Sequence, residues 1–485
     1  MEYKENIEEE QKQIKEIWGD MLKYAPSKIC GTLGNAIIVP VYTSLLPPEQ
    51  YGLYTLSIAF LSFLCIIFSD WVGLSGLRFF RLAQINNGLN KYLSILITIL
   101  SVNLILMYIL SFLLKDFFYS FFKITPIYLL AILVLIIPVA IRALLFQILR
   151  AQLKPVAFTF STILNQILTI GLSVFIIKTF HLGAFSLLLA MGISITFIDI
   201  LLIFQSNIIS YLKFTKPEMK YILPIAKYGV PIALTSLSTW VINQSNKFII
   251  NDIKGFKELG YVGVAYGVTL PLLMTIFSII TVAAIPRIIR MYEEKIDVKN
   301  IVSKITGYYI LISLPIIFIM SIYAKEFVGL LADSRFLDAY KLVPYFAFGT
   351  FFMGLTDYTT LQYHLSNKTY IDFIIKIISG VIGICLNIFL IPEMGLIGLG
   401  IATLGANFIY YFLSAIIVLP NLSLKYPVKQ LINMFFGFFI LCGVYLIIHK
   451  AEIISAPIQM ALLLFVFYFI YFLFEGRFKN KKLIQ

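Results

Sequence analysis

Charged side chains interrupt several long apolar segments of this chain, and a membrane interior would make their chemistry unusual. Arg142 lies eight residues before Arg150, which places it about 12 Å inside a helix at about 1.5 Å per residue. A cation at that depth requires an acidic partner or an anionic ligand, unless its side chain reaches back to the membrane surface. We therefore take Arg142 as the first candidate for binding an anionic group, with surface reach as the alternative.

Two further segments carry polar side chains at helical spacing. Residues three or four apart share one face of a helix, and polar groups that face lipid are costly. Such stripes are expected to face a cleft or a neighbouring helix, and helix packing is the alternative for their threonines. The stripes are Lys28, Thr32 and Asn35 in one segment, and Thr235, Thr239, Asn243, Asn246 and Lys247 in the other.

Carboxylates also occur within the apolar segments. Asp199 and Asp357 are candidates for binding a proton or a sodium ion that drives transport, or alternatively for pairing with Arg142 or Lys376. We find no phosphate-binding GxxxxGK[ST] loop, no His-Glu metal motif and no Ser/His/Asp arrangement. The four cysteines form no CxxC or Cys/His pair. These patterns predict neither an enzyme nor a metal or redox centre, and no cofactor.

The composition predicts a membrane protein with many spanning helices. Of 485 residues, 60% are hydrophobic and 13% are charged, whereas soluble domains carry about 25% charged residues. Apolar runs near the ~20 residues that a bilayer requires predict about fourteen transmembrane helices. The expected spans are 24–46, 52–71, 92–114, 126–146, 156–177, 183–204, 224–246, 260–285, 305–324, 342–361, 371–391, 395–419, 431–448 and 456–474, with the longest connection, about 19 residues, at 286–304.

The formal net charge of +13 indicates topology rather than nucleic-acid binding. Most of the 38 Lys and Arg residues fall in the N-terminal tail, the even-numbered connections and the C-terminal tail. Because basic residues favour the cytoplasmic side, both termini are expected in the cytoplasm. The polar, acidic N-terminus lacks the features of a signal peptide, so the first span is expected to be retained.

The two halves of the chain resemble each other. Arg78-Phe79-Phe80-Arg81 precedes Arg287-Ile288-Ile289-Arg290 by 209 residues, and Gly183 precedes Gly395 by 212. A repeat of six spans keeps the same orientation in the membrane and encloses a cleft between two bundles. We expect a cytoplasmic segment 1–20, bundles at 21–213 and 214–422, and two further helices with a basic tail at 423–485. Arg78, Arg81, Arg287 and Arg290 are candidates for a cytoplasmic gate or anchor.

Several segments resemble a known family. Leu45-Leu46-Pro47-Pro48-Glu49-Gln50-Tyr51-Gly52-Leu53-Tyr54 and Gly76-Leu77-Arg78-Phe79 are similar to bacterial polysaccharide transporters of the multidrug/oligosaccharidyl-lipid/polysaccharide exporter superfamily. Asn246-Lys247-Phe248-Ile249-Ile250 is similar to the family's seventh span, although the family often has an Asp-Arg pair where this chain has Asn246-Lys247. The resemblance covers nearly the whole chain, but its motifs identify no particular substrate.

The resemblance implies a flippase that moves undecaprenyl-diphosphate-linked oligosaccharides across the bacterial cytoplasmic membrane by alternating access, for O-antigen, capsule or similar polymers. Its cleft would shield the head group with Arg142, Lys28, Lys247, Asn243, Asn35 and Thr239, and a proton or sodium gradient is the expected energy source. Membrane lipids, and a polymerase with its assembly proteins, are expected partners, and nucleic acid is not. A cation-coupled multidrug exporter and a lipid II flippase remain alternatives. A membrane glycosyltransferase is disfavoured by the short connections.

Overall fold

The computed structural model describes residues 37–211 and 218–419, and also residues 32, 34, 459, 463 and 467. Within these residues the chain forms helices joined by short turns, and no β-strand occurs in them. Ten helices of the described part are long and apolar enough to cross a membrane. The expected all-α membrane fold is therefore confirmed, whereas the expected count of fourteen spans is not established.

The first half contains eight α-helices. They are α1 (37–45), α2 (Pro48–Cys65), α3 (Trp71–Ile85), α4 (Leu89–Leu113), α5 (Lys115–Phe122), α6 (Pro126–Ala151), α7 (Pro155–Phe180) and α8 (Ala184–Ser206), with a π-helical turn at Ile66–Asp70 and a 3₁₀ turn at Ile208–Tyr211.

The second half continues the numbering from the first. It comprises α9 (Met219–Lys254), α10 (Phe256–Glu293), α11 (Lys299–Ile322), α12 (Ala324–Leu331), a 3₁₀ segment at Ser334–Leu342, α13 (Val343–Leu365), α14 (Thr369–Met394) and α15 (Leu396–Ile416).

Proline marks the start of several helices in the first half. Pro48, Pro126 and Pro155 each occupy the first turn of a helix, where the missing N–H has no intrahelical acceptor to lose. Helix ends are marked by residues with left-handed backbone, such as Lys123 and His181. These local signals explain why most of the expected spans agree with the structure to within a few residues.

Three predicted helix ends are wrong, and one of them is on α9, where the span expected at 224–246 continues to Lys254. The span expected at 52–71 continues through the π turn and α3 to Ile85, and the span expected at 260–285 continues to Glu293. Both expected spans end where the apolar run ends, but backbone hydrogen bonds can continue a helix into water. The long connection expected at 286–304 is consequently short, and Arg78, Arg81, Arg287 and Arg290 lie on helices rather than in loops.

The helices of the second half repeat the order of those in the first. The eight-residue helices α5 and α12 occupy equivalent places, and apolar patterning missed both of them. Gly183 and Gly395 precede α8 and α15 with nearly the same backbone, φ 58 and ψ −136 against φ 56 and ψ −126. A side chain is strained in this conformation, so the matched glycines reflect matched turns.

Two expected spans lie almost wholly outside the described residues, and one described span is unusually polar. The former are those expected at 431–448 and 456–474, whereas the span expected at 24–46 is described mainly in its second half, and the expected boundary at 213–214 falls in a gap. The exception is α13, which has 23 residues but is not apolar enough to count among the ten. Most of its side chains are buried, because neighbouring helices rather than lipid surround it.

The two halves meet most closely where α2 and α10 begin. A Cβ on Gly52 would lie 1.9 Å from the carbonyl oxygen of Phe256, and one on Gly260 would lie 2.2 Å from that of Pro48. The backbones of the two helices therefore touch, as small residues allow between membrane helices. We call this contact the seam, and its side of the membrane the seam side. Gly263 and Gly267 extend the seam along α10 to Thr55 and Val39.

Candidate functional site

The predicted head-group residues fall in both halves. Lys28 and Asn35 lie outside the described residues. Arg142 is on α6, whereas Thr239, Asn243 and Lys247 are on α9. The structure therefore describes one candidate in the first half and three in the second.

In the first half, Arg142 faces a buried carboxylate. Its half-buried side chain experiences the charge of Asp199 on α8 and lies near the Cys65 thiol on α2. Asp199 is 5% exposed, and its Oδ1 atom has no hydrogen-bond partner. No ion pair joins the two side chains in the described structure, so they attract each other without direct contact. The mutual effect of the two charges therefore supports the alternative that Asp199 is an electrostatic partner of Arg142.

In the second half, Lys247 lies over an aromatic ring. Its Nζ atom is 4.9 Å from the centroid of the Tyr266 ring, a cation–π distance. The neighbouring Asn246 is buried and donates hydrogen bonds from Nδ2 to the Tyr266 and Thr403 hydroxyls, both at 2.9 Å. Within the described residues Lys247 has no carboxylate partner, so its positive charge is not neutralised there.

The polar stripe of α9 is partly satisfied by its own helix. The Thr239 hydroxyl donates to the Thr235 carbonyl oxygen at 3.1 Å, and Asn243 Nδ2 donates to the Thr239 carbonyl oxygen at 3.1 Å. Asn243 also lines a small cavity with Tyr266 and Asn407. For Thr239 the arrangement agrees with the packing alternative, whereas the Asn243 side chain borders open space.

The face of α13 that carries Asp357 is open. Asp357 and His364 are exposed and lie seven residues apart, so they share one face of an otherwise mostly buried helix. A charged face toward lipid would be costly, and we therefore interpret the open space beside it as a cleft. Tyr309, Asp372 and Lys376 surround Asp357 electrostatically.

Asp372 forms the centre of an ion cluster that the sequence did not reveal. It is 1% exposed and accepts hydrogen bonds from Lys376 Nζ at 2.8 Å and from the Tyr410 hydroxyl at 2.7 Å. His364 Nε2 lies 3.7 Å from the same carboxylate. The four-residue spacing of Asp372 and Lys376 was an available signal. The cluster connects α13, α14 and α15 and explains how this lysine is accommodated.

A second feature missed by sequence reasoning lies on the seam side. Arg335 Nη2 donates to the carbonyl oxygens of Thr43 at 2.9 Å and Ser44 at 3.3 Å, at the end of α1. Asp333 accepts from Arg335 Nε at 2.8 Å, and its own N–H donates to the Thr43 hydroxyl at 3.1 Å. We call Asp333, Arg335 and these α1 partners the latch. It connects the second half to the first.

Aromatic packing completes the closure beside the latch. Phe336 is fully buried and contacts Tyr51 of the first half and Tyr261 of the second. Further along α2, the Trp240 indole N–H donates to the Ala59 carbonyl oxygen at 3.2 Å, which joins α9 to α2. The seam side is therefore closed by backbone contact, a hydrogen-bonded arginine and buried rings.

The gate candidates differ in their contacts. Arg81 bonds Gln84 and Arg290 pairs with Glu294, both within their own helices. Arg78 is exposed at the equivalent place to Arg287 in the repeat. No group of three His, Cys, Asp or Glu side chains in 37–211 and 218–419 is arranged to hold a metal ion.

Comparison with known proteins identifies the fold and the family. The model of a family described as polysaccharide biosynthesis protein matches residues 41–341. A structure of the lipid II flippase MurJ in an inward closed conformation is similar with a TM-score of 0.72 at 17% identity, covering 95% of this chain and 98% of that one. No curated protein gives a significant sequence match.

Multidrug transporters share the same fold. An inward-facing MATE family transporter of the MOP superfamily has a TM-score of 0.65 at 14% identity, covering 80% of this chain and 92% of that one. Its outward-facing counterpart has a TM-score of 0.54 at 16% identity, with coverages of 81% and 93%. Because the family model matches more than half of the chain and ten helices can span a membrane, this multi-pass membrane protein belongs to the polysaccharide biosynthesis protein family.

Proposed function

We propose that this protein is a flippase for undecaprenyl-diphosphate-linked oligosaccharides, acting in the assembly of a surface polysaccharide such as O-antigen or capsule. The family match supports polysaccharide biosynthesis, and the fold it shares with MurJ and MATE proteins supports transport. The protein would act in the bacterial cytoplasmic membrane with both termini in the cytoplasm, and it would carry its substrate rather than react with it.

The observation that carries this proposal is a cation without a direct ion pair in each half of the described structure. Arg142 has no direct ion pair in the described structure, and Lys247 contacts a ring instead of a carboxylate. A diphosphate needs charged donors in a water-poor cleft, and a guanidinium can bind phosphate oxygens in a bidentate manner. Lys28, Asn35, Asn243 and Thr239 are proposed to assist them.

Movement would follow alternating access between the two halves. We propose that the seam side faces outward, so that the present arrangement is closed to the outside. Release of substrate then requires α2 and α10 to separate and the latch to break. At the same time the cytoplasmic gate would close as the helical ends that carry its arginines approach each other. These arginines are Arg78, Arg81, Arg287 and Arg290.

A proton or sodium gradient is the proposed energy source, with Asp199 and Asp357 as the ion-binding candidates. The exposed face of Asp357 also supports the alternative of a cation-coupled multidrug exporter, since an acidic cleft wall suits a cationic drug. The likeness to MurJ supports the alternative of a lipid II flippase. A polymerase and its assembly proteins are proposed partners outside the membrane step.

The experiment is deletion of the gene, followed by measurement of surface polymer and of the leaflet that holds its lipid-linked precursor. We expect the polymer to be lost and the precursor to accumulate on the cytoplasmic leaflet. Loss of lipid II transport with normal polymer would favour the lipid II alternative. Normal export of both would leave the drug exporter.

The same strain tests the role of Arg142. Arg142→Ala should restore less than a tenth of the polymer restored by the wild type, because the head group loses its deepest cation, and Arg142→Lys should restore more than Ala. Membrane abundance of each variant is the control. Equal restoration by Ala and wild type would assign Arg142 to the membrane surface rather than to the substrate.

A further inference from the structure

A cavity of about 770 Å³ opens in the second half, where α10 ends, α11 begins and α13 ends. Small-molecule sites commonly have volumes of about 300–1,000 Å³, so the cavity is large enough for a ligand of several rings. Helix α10 begins at the seam and ends at this cavity, so the two lie at opposite ends of the helix. With the seam side proposed to face outward, the cavity faces the cytoplasm.

The charged side chains that line the cavity balance each other. Two carboxylates, Glu293 and Asp297, are matched by two ammonium groups, Lys295 and Lys299. Asp297 Oδ1 accepts from the Lys299 backbone N–H at 3.0 Å. The Glu293 carboxylate is exposed and makes neither an ion pair nor a hydrogen bond within the described residues. The lining therefore offers both donors and acceptors, and Glu293 has its bonding capacity free.

This lining suits an uncharged saccharide better than a diphosphate. Sugar hydroxyls both donate and accept hydrogen bonds, so carboxylate, ammonium and amide groups can all bind them. A diphosphate only accepts, and the carboxylates of Glu293 and Asp297 would repel it. Tyr292 and Asn367 also line the cavity. They add an aromatic ring, against which a sugar ring can pack, and an amide that both donates and accepts.

His364 connects the cavity to the ion cluster around Asp372. Its exposed imidazole lines the cavity, and its Nε2 atom lies 3.7 Å from the Asp372 carboxylate. Lys376 and Tyr410 hold that carboxylate from α14 and α15. One wall of the cavity is therefore positioned before a ligand binds, which lowers the ordering cost of binding. His364 also shares the open face of α13 with Asp357, so the cavity lies at the mouth of the interpreted cleft.

We propose that this cavity is a docking site for the uncharged saccharide part of the transported molecule. Glu293, Asn367 and His364 would bind its hydroxyls, and Tyr292 would pack against a sugar ring. The inference rests on the proposed function, which makes the saccharide part of a lipid-linked substrate. It separates recognition of the sugar at the cytoplasmic mouth from binding of the diphosphate by Arg142.

The test measures binding of a saccharide that carries neither lipid nor diphosphate. The probe is the oligosaccharide repeat released by hydrolysis from the surface polymer of the parent strain. It is titrated into the full-length protein in lipid nanodiscs, because detergents with sugar head groups would compete for the site. Isothermal titration calorimetry gives the affinity, and inorganic diphosphate is titrated as the comparison.

We expect the wild type to bind the saccharide and Glu293→Ala to bind it at least about tenfold more weakly, since hydrogen bonds to a charged group are lost. Glu294→Ala is the matched control, because Glu294 is the next residue, is exposed and pairs with Arg290 instead of lining the cavity. It should bind as the wild type does. Ile296→Trp should abolish binding by filling the cavity, and Ile296 is exposed enough to accept a larger side chain.

The outcomes distinguish the docking site from the flippase proposal. Saccharide binding that is equal in the wild type, Glu293→Ala and Ile296→Trp overturns the cavity as its site, and so does absence of saccharide binding by the wild type. Diphosphate binding that Ile296→Trp abolishes would also overturn it, since the cavity would then be an anion site. In each case, loss of polymer in the deletion strain still supports the flippase. Normal polymer in that strain, with saccharide binding lost in both variants, overturns the flippase and retains the saccharide site.

Discussion

The cations inside this protein are held in two different ways. Lys376 has a carboxylate partner one helical turn away, Asp372 at 2.8 Å, which is itself fixed by Tyr410. Arg142 and Lys247 have no such contact within the described residues. A salt-bridged lysine is stabilised where it is, whereas a cation without direct ion pairing gains most from a bound anion. This difference is why we place substrate binding at Arg142 and Lys247 and assign Lys376 to structure.

Arg335 is the residue whose loss should loosen the closed side. Removing its hydrogen bonds to α1 should cost about 1 kcal/mol, which corresponds to about a fivefold shift toward separation of the halves. In a background with the native cysteines replaced by serine, Thr55→Cys reports on the seam, because Thr55 lies beside Gly263 across it and is 8% exposed as threonine. Arg335→Ala should raise its labelling rate by an impermeant maleimide about fivefold.

The matched control for that change is Lys341→Ala, since Lys341 pairs with Asp338 inside the same segment and does not reach α1.

Hydrogen bonds from the Arg335 side chain and backbone lower the pKa of Asp333. A carboxylate whose pKa is lowered contributes its full stabilisation at any pH above its ordinary pKa. That stabilisation is lost only as the pH falls through the lowered pKa. The latch should therefore hold from pH 8 to 5. Equal labelling of the Arg335 and Lys341 variants would exclude a latch.

At the scale of elements, the seam depends on glycine. Helices α2 and α10 begin with their backbones in contact because Gly52 and Gly260 have no side chains. The sequence shows these glycines and their place in the repeat, but spacing alone cannot tell which helix each one touches. The aromatic residues around Phe336 can also be seen in the sequence, but the sequence does not show which rings they contact. Those contacts follow only from the packing of the two halves.

Gly260→Ala should force the two helix starts apart. Its Cβ would lie 2.2 Å from the carbonyl oxygen of Pro48, which belongs to the backbone and cannot rotate away. We expect a loss of about 1–3 kcal/mol in stability of the closed form, as for other overpacked contacts. Thermal unfolding in detergent, followed by tryptophan fluorescence, measures the effect.

Gly171→Ala on α7 is the control for that substitution. A Cβ at Gly171 meets nothing within 4 Å, so the unfolding temperature of this variant should equal or slightly exceed that of the wild type. If Gly260→Ala also unfolds at the wild-type temperature and leaves the Thr55→Cys labelling rate unchanged, the seam is not the tight contact described here.

At the scale of the whole molecule, the two halves are expected to move as bodies that separate at the seam. Thr55 and Gly263 lie on opposite sides of it, and a Cβ on Gly263 would be 2.3 Å from the Thr55 hydroxyl. Cysteines at both positions should therefore form a disulfide. Oxidation of Thr55→Cys/Gly263→Cys should stop restoration of surface polymer in the deletion strain, and reduction should recover it.

A disulfide within one half should have no such effect. Gly383 on α14 and Ala406 on α15 approach closely, with 2.8 Å from a Cβ on Gly383 to the Ala406 Cβ. Oxidised Gly383→Cys/Ala406→Cys should still support polymer export, because both helices belong to the same body. Export that survives a quantitative crosslink across the seam would contradict opening at this place.

The sequence by itself determined that this is a membrane protein of repeated helices, because hydrophobic length and matched segments can be read along the chain. It also placed most helices, and it singled out Arg142, Lys247, Asp199 and Asp357 because a charge within an apolar run is visible without a fold. It could not extend α3 and α10 past the apolar region, since helical hydrogen bonds continue where hydrophobicity ends.

Only the tertiary structure decided which of these charges face each other. Arg142 and Asp199 are 57 residues apart in sequence, and Arg335 meets the end of α1 from the other half of the chain. Such pairings depend on how helices are rotated and packed, and periodicity defines a face but not its neighbour. The partners of the charged side chains, and the closed seam between the halves, therefore follow from packing.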